Sequence, residues 1–252
     1  MITFESKASS SRGNAYILRS QYLKPLLIEA GLPLTRLREA LAFQLSTLAG
    51  CLISHSHGDH SKGAKGLLAV GVNVYAGGET ARALGITDHH RYEPLFPSFE
   101  KNIDGWKVVP FTLNHDCECL GFYVCDGSDG DRFVFIPDTG YVTQRFVGIN
   151  QIAAECNYID DLLEEGVAKG NVPAAVAMRT RSYHLSLNAL IEALAANDLS
   201  QCRRIYLMHL SNAYSDAKRM KDETEKATGI ETYIVEEKSA NESRDGYYRG
   251  RK

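Results

Sequence analysis

The sequence predicts an α/β fold of mixed α+β character, built as a layered sandwich of helices and strands in a single domain over residues 1–252. Three observations predict it. Short strand-like runs and helix-like runs interleave along the whole chain. No break in composition, internal repeat or low-complexity tract divides it. The apolar fraction of 44% is that of a globular protein with a proper core.

The chain opens with strands at Ala15-Tyr16-Ile17-Leu18 and Pro25-Leu26-Leu27-Ile28. Leu34, Leu37, Leu41 and Leu45 are spaced for one helix face, so a helix is expected over Pro33–Ala49. Cys51–Ser54 reads as a short buried strand and Ser61–Val70 as a helix. A strand at Val72–Tyr75 and a helix from Glu79 follow. The stretch Thr87–Asp104, with two prolines and the pair His89-His90, is expected to be irregular. Strands are expected at Lys107–Leu113, Gly121–Cys125 and Arg132–Ile136, the last two joined by the turn Gly127-Ser128-Asp129-Gly130. The second half continues with a strand at Ile152–Glu155 and helices at Tyr158–Ala168 and Leu187–Ala196. A strand at Arg204–Met208, a helix at Asp216–Lys226 and a last strand at Glu231–Val235 complete it.

Composition bounds the function. No apolar run approaches a membrane span, so no membrane partner is expected. Met1–Glu5 lacks a basic region leading into an apolar stretch, so no signal peptide is expected. Six scattered cysteines show no disulfide-rich spacing, and the chain reads as cytoplasmic with reduced thiols. Cys117 and Cys119 are expected to be ordinary small side chains on one strand face. The net charge of −3 does not advertise nucleic-acid binding, although a local basic patch would suffice. The segment from about 237 to 252 is expected to be a flexible basic tail; its end, Arg244–Lys252, is basic and aromatic and could touch phosphates and bases. The sequence is compatible with a homodimer and does not set the oligomeric state.

The run His55-Ser56-His57-Gly58-Asp59-His60 carries the chemistry. Four metal-ligand side chains fall where a strand end feeds a helix start. Alternate residues of an extended segment point the same way, so His55 and His57 can grip one ion. Asp59 and His60 then turn toward a neighbouring position. Imidazole with carboxylate suits zinc or a similar metal in a hydrolytic role. The competing reading is a histidine-rich solvent loop.

Three further positions share this grammar of a strand ending at a ligand: His115 after Val108–Leu113, Asp138 after Phe133–Ile136, and His209 after Ile205–Met208. Singly each is weak. A two-metal site needs about seven protein groups, one able to bridge. His55, His57, Asp59, His60, His115, Asp138 and His209 supply them, and Asp138, with two oxygens, is the bridge candidate.

This order of motifs resembles the metallo-β-lactamase superfamily over nearly the whole chain. The resemblance implies a four-layer αβ/βα sandwich with the metals at one edge of two sheets. It implies that His55, His57 and His115 hold one metal, that Asp59, His60 and His209 hold the other, and that Asp138 bridges them. Ala8–Ala15, Asp138-Thr139-Gly140-Tyr141-Val142 and His209-Leu210-Ser211 are similar to the YycJ-like (WalJ) branch, which is associated with nuclease activity on DNA. The chain departs at Ser10-Ser11-Arg12, where a glycine is usual, and at Glu155-Cys156-Asn157-Tyr158-Ile159, where the branch often has E-S-N-H-D.

His184-Leu185-Ser186 and the upstream Glu155 resemble the pair of ribonuclease Z and its relatives, in which such residues donate a proton to the leaving oxygen. The competing reading makes His184 a helix start and Glu155 a surface residue. Arg179 and Arg181 precede His184 and could hold a phosphate or be surface arginines. Ser9, Ser10, Ser11 and Asn14 could line the metal cleft or form a tight turn; His89 and His90 are expected in a solvated loop.

The expected function is a binuclear metal-dependent phosphodiesterase, foremost an exonuclease-like DNA nuclease, with nucleic acid or a nucleotide phosphodiester as substrate. Asp59, Glu155 and His184 are the expected catalytic residues. Two divalent ions, zinc first and manganese second, are expected to share a bridging hydroxide as nucleophile. The alternative is a phosphodiesterase for cyclic or other small signalling nucleotides.

Overall fold

A strand with apolar side chains on both faces must lie between two layers. The computed structural model, which describes residues 1–235, shows how those layers are filled. Its first half contains β1 (Thr3–Ala8), β2 (Ala15–Arg19), β3 (Leu26–Ile28), α1 (Leu34–Ala40), β4 (Gly50–Ile53), α2 (Gly58–Ser61), α3 (Ala64–Ala69), β5 (Val74–Ala76), α4 (Gly78–Leu84) and β6 (Tyr92–Pro94). The second half contains β7 (Lys101–Ile103), β8 (Trp106–Leu113), β9 (Cys119–Asp126), β10 (Arg132–Ile136), β11 (Gln151–Glu155), α5 (Asp160–Ala168), α6 (Ala174–Tyr183), α7 (Leu187–Ala195), β12 (Arg204–Met208), α8 (Ala217–Thr228) and β13 (Thr232–Ile234).

Strands β1 to β6 form one sheet in sequence order, and β7 to β13 form the other in the same manner. Each sheet joins antiparallel to parallel pairing: β1–β2–β3 are antiparallel and β3–β4–β5–β6 parallel. In the second sheet β7–β8–β9–β10 are antiparallel and β10–β11–β12–β13 parallel. Alternation along the strands sorts the core. Tyr16, Leu18 and Leu52 of the first sheet meet Phe122, Phe133, Phe135 and Tyr206 of the second in a central layer. Ile17, Cys51 and Ile53 face outward to Leu37, Leu67 and Leu68 of the helices. On the far side Val134, Ile136, Ile205 and Leu207 meet Leu187, Leu190, Leu194 and Met220. The result is the four-layer αβ/βα sandwich.

Several expected elements differ. The helix expected over Pro33–Ala49 ends at Ala40. Phe43 N–H bonds Arg38 O (2.7 Å) and Ala42 N–H bonds Glu39 O (3.0 Å), the paired bonds of a Schellman turn. Ala42 and Phe43 take φ of 49° and 60° to make it, although neither is glycine. Leu41 and Leu45 are buried all the same, so the leucine spacing reported burial and not helix length. The stretch expected to be irregular holds β6 and β7, both short outer strands of their sheets. Strand β1 and helix α6 were not expected at all. The basic tail expected at 237–252 lies outside the described residues. Among the described residues no helix is long and apolar enough to cross a membrane.

Candidate metal centre

The parallel strands of both sheets end at the same edge of the sandwich, and the residues that follow them converge there. The turn after β4 carries His55 and His57, and α2 carries Asp59 and His60. His115 follows β8, Asp138 follows β10, Glu155 ends β11 and His209 follows β12. The seven expected ligand residues all come together. The rings of His55, His57 and His115 stand 4.7, 4.9 and 5.0 Å apart, centroid to centroid. His57 Nδ1 and His115 Nε2 are 3.3 Å apart. Asp59 Oδ2 lies 3.4 Å from His60 Nε2 and 3.8 Å from His209 Nε2. Asp138 is near both groups: its Oδ1 is 3.5 Å from His60 Nε2 and 3.2 Å from His209 Nδ1, and ligand atoms of His55, His60 and Asp138 all lie within 4.8 Å of one another.

This donor set fits divalent cations. His55 Nε2 and Asp138 Oδ1 are buried and make no hydrogen bond of proper geometry, which is costly for polar atoms unless something else satisfies them. Burial and the neighbouring His60, His115 and His57 push the His55 pKa well below its ordinary value, leaving the neutral imidazole that a metal needs. Burial presses His60 down too, but Asp138 and Glu29 outweigh it and raise its pKa to about 10. Carboxylates that hold a proton so firmly on an imidazole mark a place that favours positive charge.

The histidines are held from behind. Ser54 Oγ is 2.8 Å from His55 Nδ1, and the Tyr183 carbonyl is 3.2 Å from His115 Nδ1. Such contacts fix ring orientation and tautomer. Sequence reasoning missed Glu29, which is fully buried with its Oε1 3.4 Å from His60 Nδ1. Its sequence signal is that of the other sites, a carboxylate directly after a buried apolar strand. Asn14 serves the same ring, its Nδ2 3.2 Å from His60 Nε2. Its main-chain N–H donates to Asp59 O (2.7 Å), which stitches the opening loop to the hexapeptide.

Glu155 is fully buried, not the surface residue of the competing reading. Its Oε1 is 2.6 Å from His184 Nδ1 and 3.0 Å from His209 Nδ1. Its Oε2 accepts the Thr139 and Leu185 backbone N–H groups at 3.0 and 3.1 Å. Burial pushes its pKa up, but His184 and His209 outweigh that and hold it far below the ordinary carboxylate range. In return, Glu155 and Asp138 overcome the effect of burial on His184 and raise its pKa. His184 ends α6 at the wall of a cleft of about 470 Å³. The same cleft is lined by His57, Asp59, His115, Asp138 and His209.

Other candidates sort plainly. Ser10 and Ser11 line the cleft, and so does Arg179. Arg181 instead faces Glu164 at 3.8 Å. His89 and His90 stack on each other (4.7 Å) beyond α4 and do not line the cleft. One of the two cysteines departs from expectation. Cys117 precedes β9 and is not on the strand; its Sγ is 3.9 Å from His57 Nε2, while Cys119 Sγ is 3.7 Å from His55 Nδ1. They lie beside the histidines because the turn after His115 carries the chain straight back past the hexapeptide.

A family profile described as "Beta-lactamase superfamily domain" matches residues 26–210. Exodeoxyribonuclease WalJ of Streptococcus pneumoniae is 30% identical over 219 residues, covering 81% of this chain and 80% of that one. Exodeoxyribonuclease YycJ of Bacillus anthracis is 29% identical over 226 residues, with 82% of each covered. Among solved structures, the metallo-β-lactamase fold protein YhfI of Bacillus subtilis superposes with TM-score 0.68 at 14% identity, over 93% of this chain and 96% of that one. Unliganded yeast PDE1 superposes at 0.67 and 13% identity (94% and 98% covered), and the short form of human tRNase Z at 0.59 and 14% (93% and 96%). At those identities the likeness is one of fold. The shared fold, the profile match and the identity to WalJ together place the chain: it belongs to the metallo-β-lactamase superfamily.

Proposed function

We propose that the protein is a metal-dependent phosphodiesterase that cleaves DNA, an exonuclease in the manner its relatives' names describe. His55, His57 and His115 would hold one divalent cation, Asp59, His60 and His209 a second, and Asp138 would bridge them. Zinc is the first expectation and manganese the second. Bound there, the cations would supply Lewis-acid activation of water and neutralise charge on a phosphate oxygen.

The observation that carries the reading is the Glu155–His184 pair, joined at 2.6 Å beside Asp138. A sugar alkoxide is a poor leaving group and needs a proton as the P–O bond breaks. His184 lines the cleft, and Glu155 takes its Nδ1, which leaves Nε2 to deliver that proton. Glu155, buried and fixed by two backbone N–H groups, holds the imidazole in place. Asp59 completes the catalytic set by presenting its carboxylate to both His60 and His209.

A panel assay on the zinc- or manganese-loaded protein tests the reading. Single- and double-stranded DNA, RNA, a cyclic mononucleotide, a β-lactam and a glutathione thioester are compared, with product ends mapped. DNA hydrolysis releasing mononucleotides is the expected result. Thioester turnover far above phosphodiester turnover would overturn the reaction class. A cyclic mononucleotide preferred over every polynucleotide would overturn the substrate.

A further inference from the structure

The cleft lined by the histidines carries one permanently charged cation among its described lining residues, Arg179 of α6. The other charged or titratable groups there are His57, Asp59, His115, Asp138, His184, His209 and Tyr214. Arg179 is well exposed, with its side chain 68% accessible, so it stands at the mouth and not beside the buried ligand cluster. It is nonetheless not adrift. Its Nη2 donates to Asp116 Oδ2 at 3.0 Å. The other oxygen of that carboxylate lies 3.1 Å from His57 Nε2 and 3.3 Å from His115 Nε2. One aspartate therefore lies between the arginine and two histidines of the centre.

We infer that Arg179 is the contact for a phosphate next to the scissile one, and that the cleft thereby prefers a strand carrying several phosphates over a single diester. The inference rests on the phosphodiesterase reading and names the residue by which the cleft tells a polynucleotide from a small diester. Three points support it. The cleft, at about 470 Å³, is the size that takes a whole ligand and not one phosphate group. The bond to Asp116 uses one corner of a guanidinium with five N–H donors, which leaves the planar fork to meet phosphate oxygens. An exposed ion pair of this kind is held weakly, so sharing Arg179 with a phosphate costs little. Asp116 acts as a positioning residue for the arginine.

The experiment compares the wild type with Arg179→Ala, Arg179→Lys and a charge control, Arg36→Ala on the exposed face of α1. Turnover is measured on an oligothymidine and on bis-p-nitrophenyl phosphate, which has a single phosphate. Binding is measured by fluorescence anisotropy on a phosphorothioate oligothymidine that resists hydrolysis, across a range of salt. Arg179→Ala should raise KM on the oligothymidine about tenfold more than on the small diester, with the change in KM exceeding that in kcat. The slope of log affinity against log salt should fall by about 0.7, the mark of one lost phosphate contact on a single strand. Arg179→Lys should recover part of both, and Arg36→Ala should leave the slope as it was. Equal KM losses on both substrates, or a slope the same as wild type, would overturn the inference. If the wild type hydrolyses neither substrate, the phosphodiesterase reading fails, and the anisotropy series still decides whether Arg179 contacts phosphate.

Discussion

At the residue scale, the Glu155–His184 pair separates two roles that a simple loss of activity would merge. General acid catalysis contributes about 10²–10⁴-fold where the leaving group is poor. His184→Ala should therefore keep its metal content and lose about that factor on DNA, but far less on bis-p-nitrophenyl phosphate, whose leaving group needs no proton. Equal losses on both would assign His184 to substrate placement or folding instead. Glu155→Gln should behave differently. Glu155 also touches His209 and receives two backbone N–H groups, so its change should reduce metal content as well as activity on both substrates. Glu29 offers a third test. It touches His60 on the side away from Asp59 and Asp138, so Glu29→Gln should weaken metal affinity by about 10–100-fold, read by competition with a chelating dye. Unchanged affinity would leave Glu29 as mere core. The residues that converge at the centre were legible in sequence because they follow the ends of apolar strand runs, Asp59 and His60 in the short helix just beyond one. Glu29 obeys the same rule but stands alone, with no histidine in its neighbourhood of sequence to draw notice. Its partner His60 is 31 positions along, and only the parallel pairing of β3 with β4 brings the two together.

At the element scale, the site depends on close approaches that only glycine allows. A Cβ on Gly31 would lie 1.6 Å from Asp59 O and 2.4 Å from Asn14 N. Both are backbone atoms, so neither can turn aside. Gly31→Ala must push α2 away from the end of β3, and overpacking of that kind typically costs about 1–3 kcal/mol or more. The expected outcome is a lowered midpoint in urea together with lost metal, whereas Gly58→Ala, whose Cβ would meet nothing within 4 Å, should change the midpoint little. Comparable midpoints for the two variants would contradict this packing. The strands of the buried sheets were legible from their apolar runs, and α7 from its leucines. Helix α6 was not, for a physical reason. It buries only Ala177 and Thr180 and leaves Val176 and Met178 exposed, so it has no apolar stripe to read. Yet it carries Arg179 and delivers His184. Strand β6 was obscured by Pro94, which an outer strand tolerates because its far side makes no ladder. The leucine spacing after Pro33 misled in the opposite way, since a Schellman turn lets Leu41 and Leu45 stay in the core after the helix has stopped.

At the scale of the whole molecule, the centre is drawn from both sheets. His55, His57, Asp59 and His60 follow β4 of the first, while His115, Asp138 and His209 follow β8, β10 and β12 of the second. The two sheets otherwise meet through the central apolar layer, where Tyr16 and Leu52 of the first pack with Phe135 and Met208 of the second. A cation held by ligands from both halves binds the folded chain and not the unfolded one, so its binding free energy adds to stability. At a free concentration of about 100 times Kd that addition is about 2.7 kcal/mol. For a chain of this size each kcal/mol raises Tm by about 2–4 °C, so zinc or manganese should lift Tm by roughly 5–10 °C over the chelator-treated protein. Elemental analysis should find about two equivalents in the loaded protein if the two-metal arrangement holds. His57→Ala removes one of the proposed ligands from the first-sheet side, so it should lower the metal content, the metal-dependent rise in Tm and the activity together. A wild type whose Tm is the same with chelator and with metal would break the link between this centre and the fold. Full activity in a metal-free His57→Ala protein would remove the metal centre from the mechanism altogether.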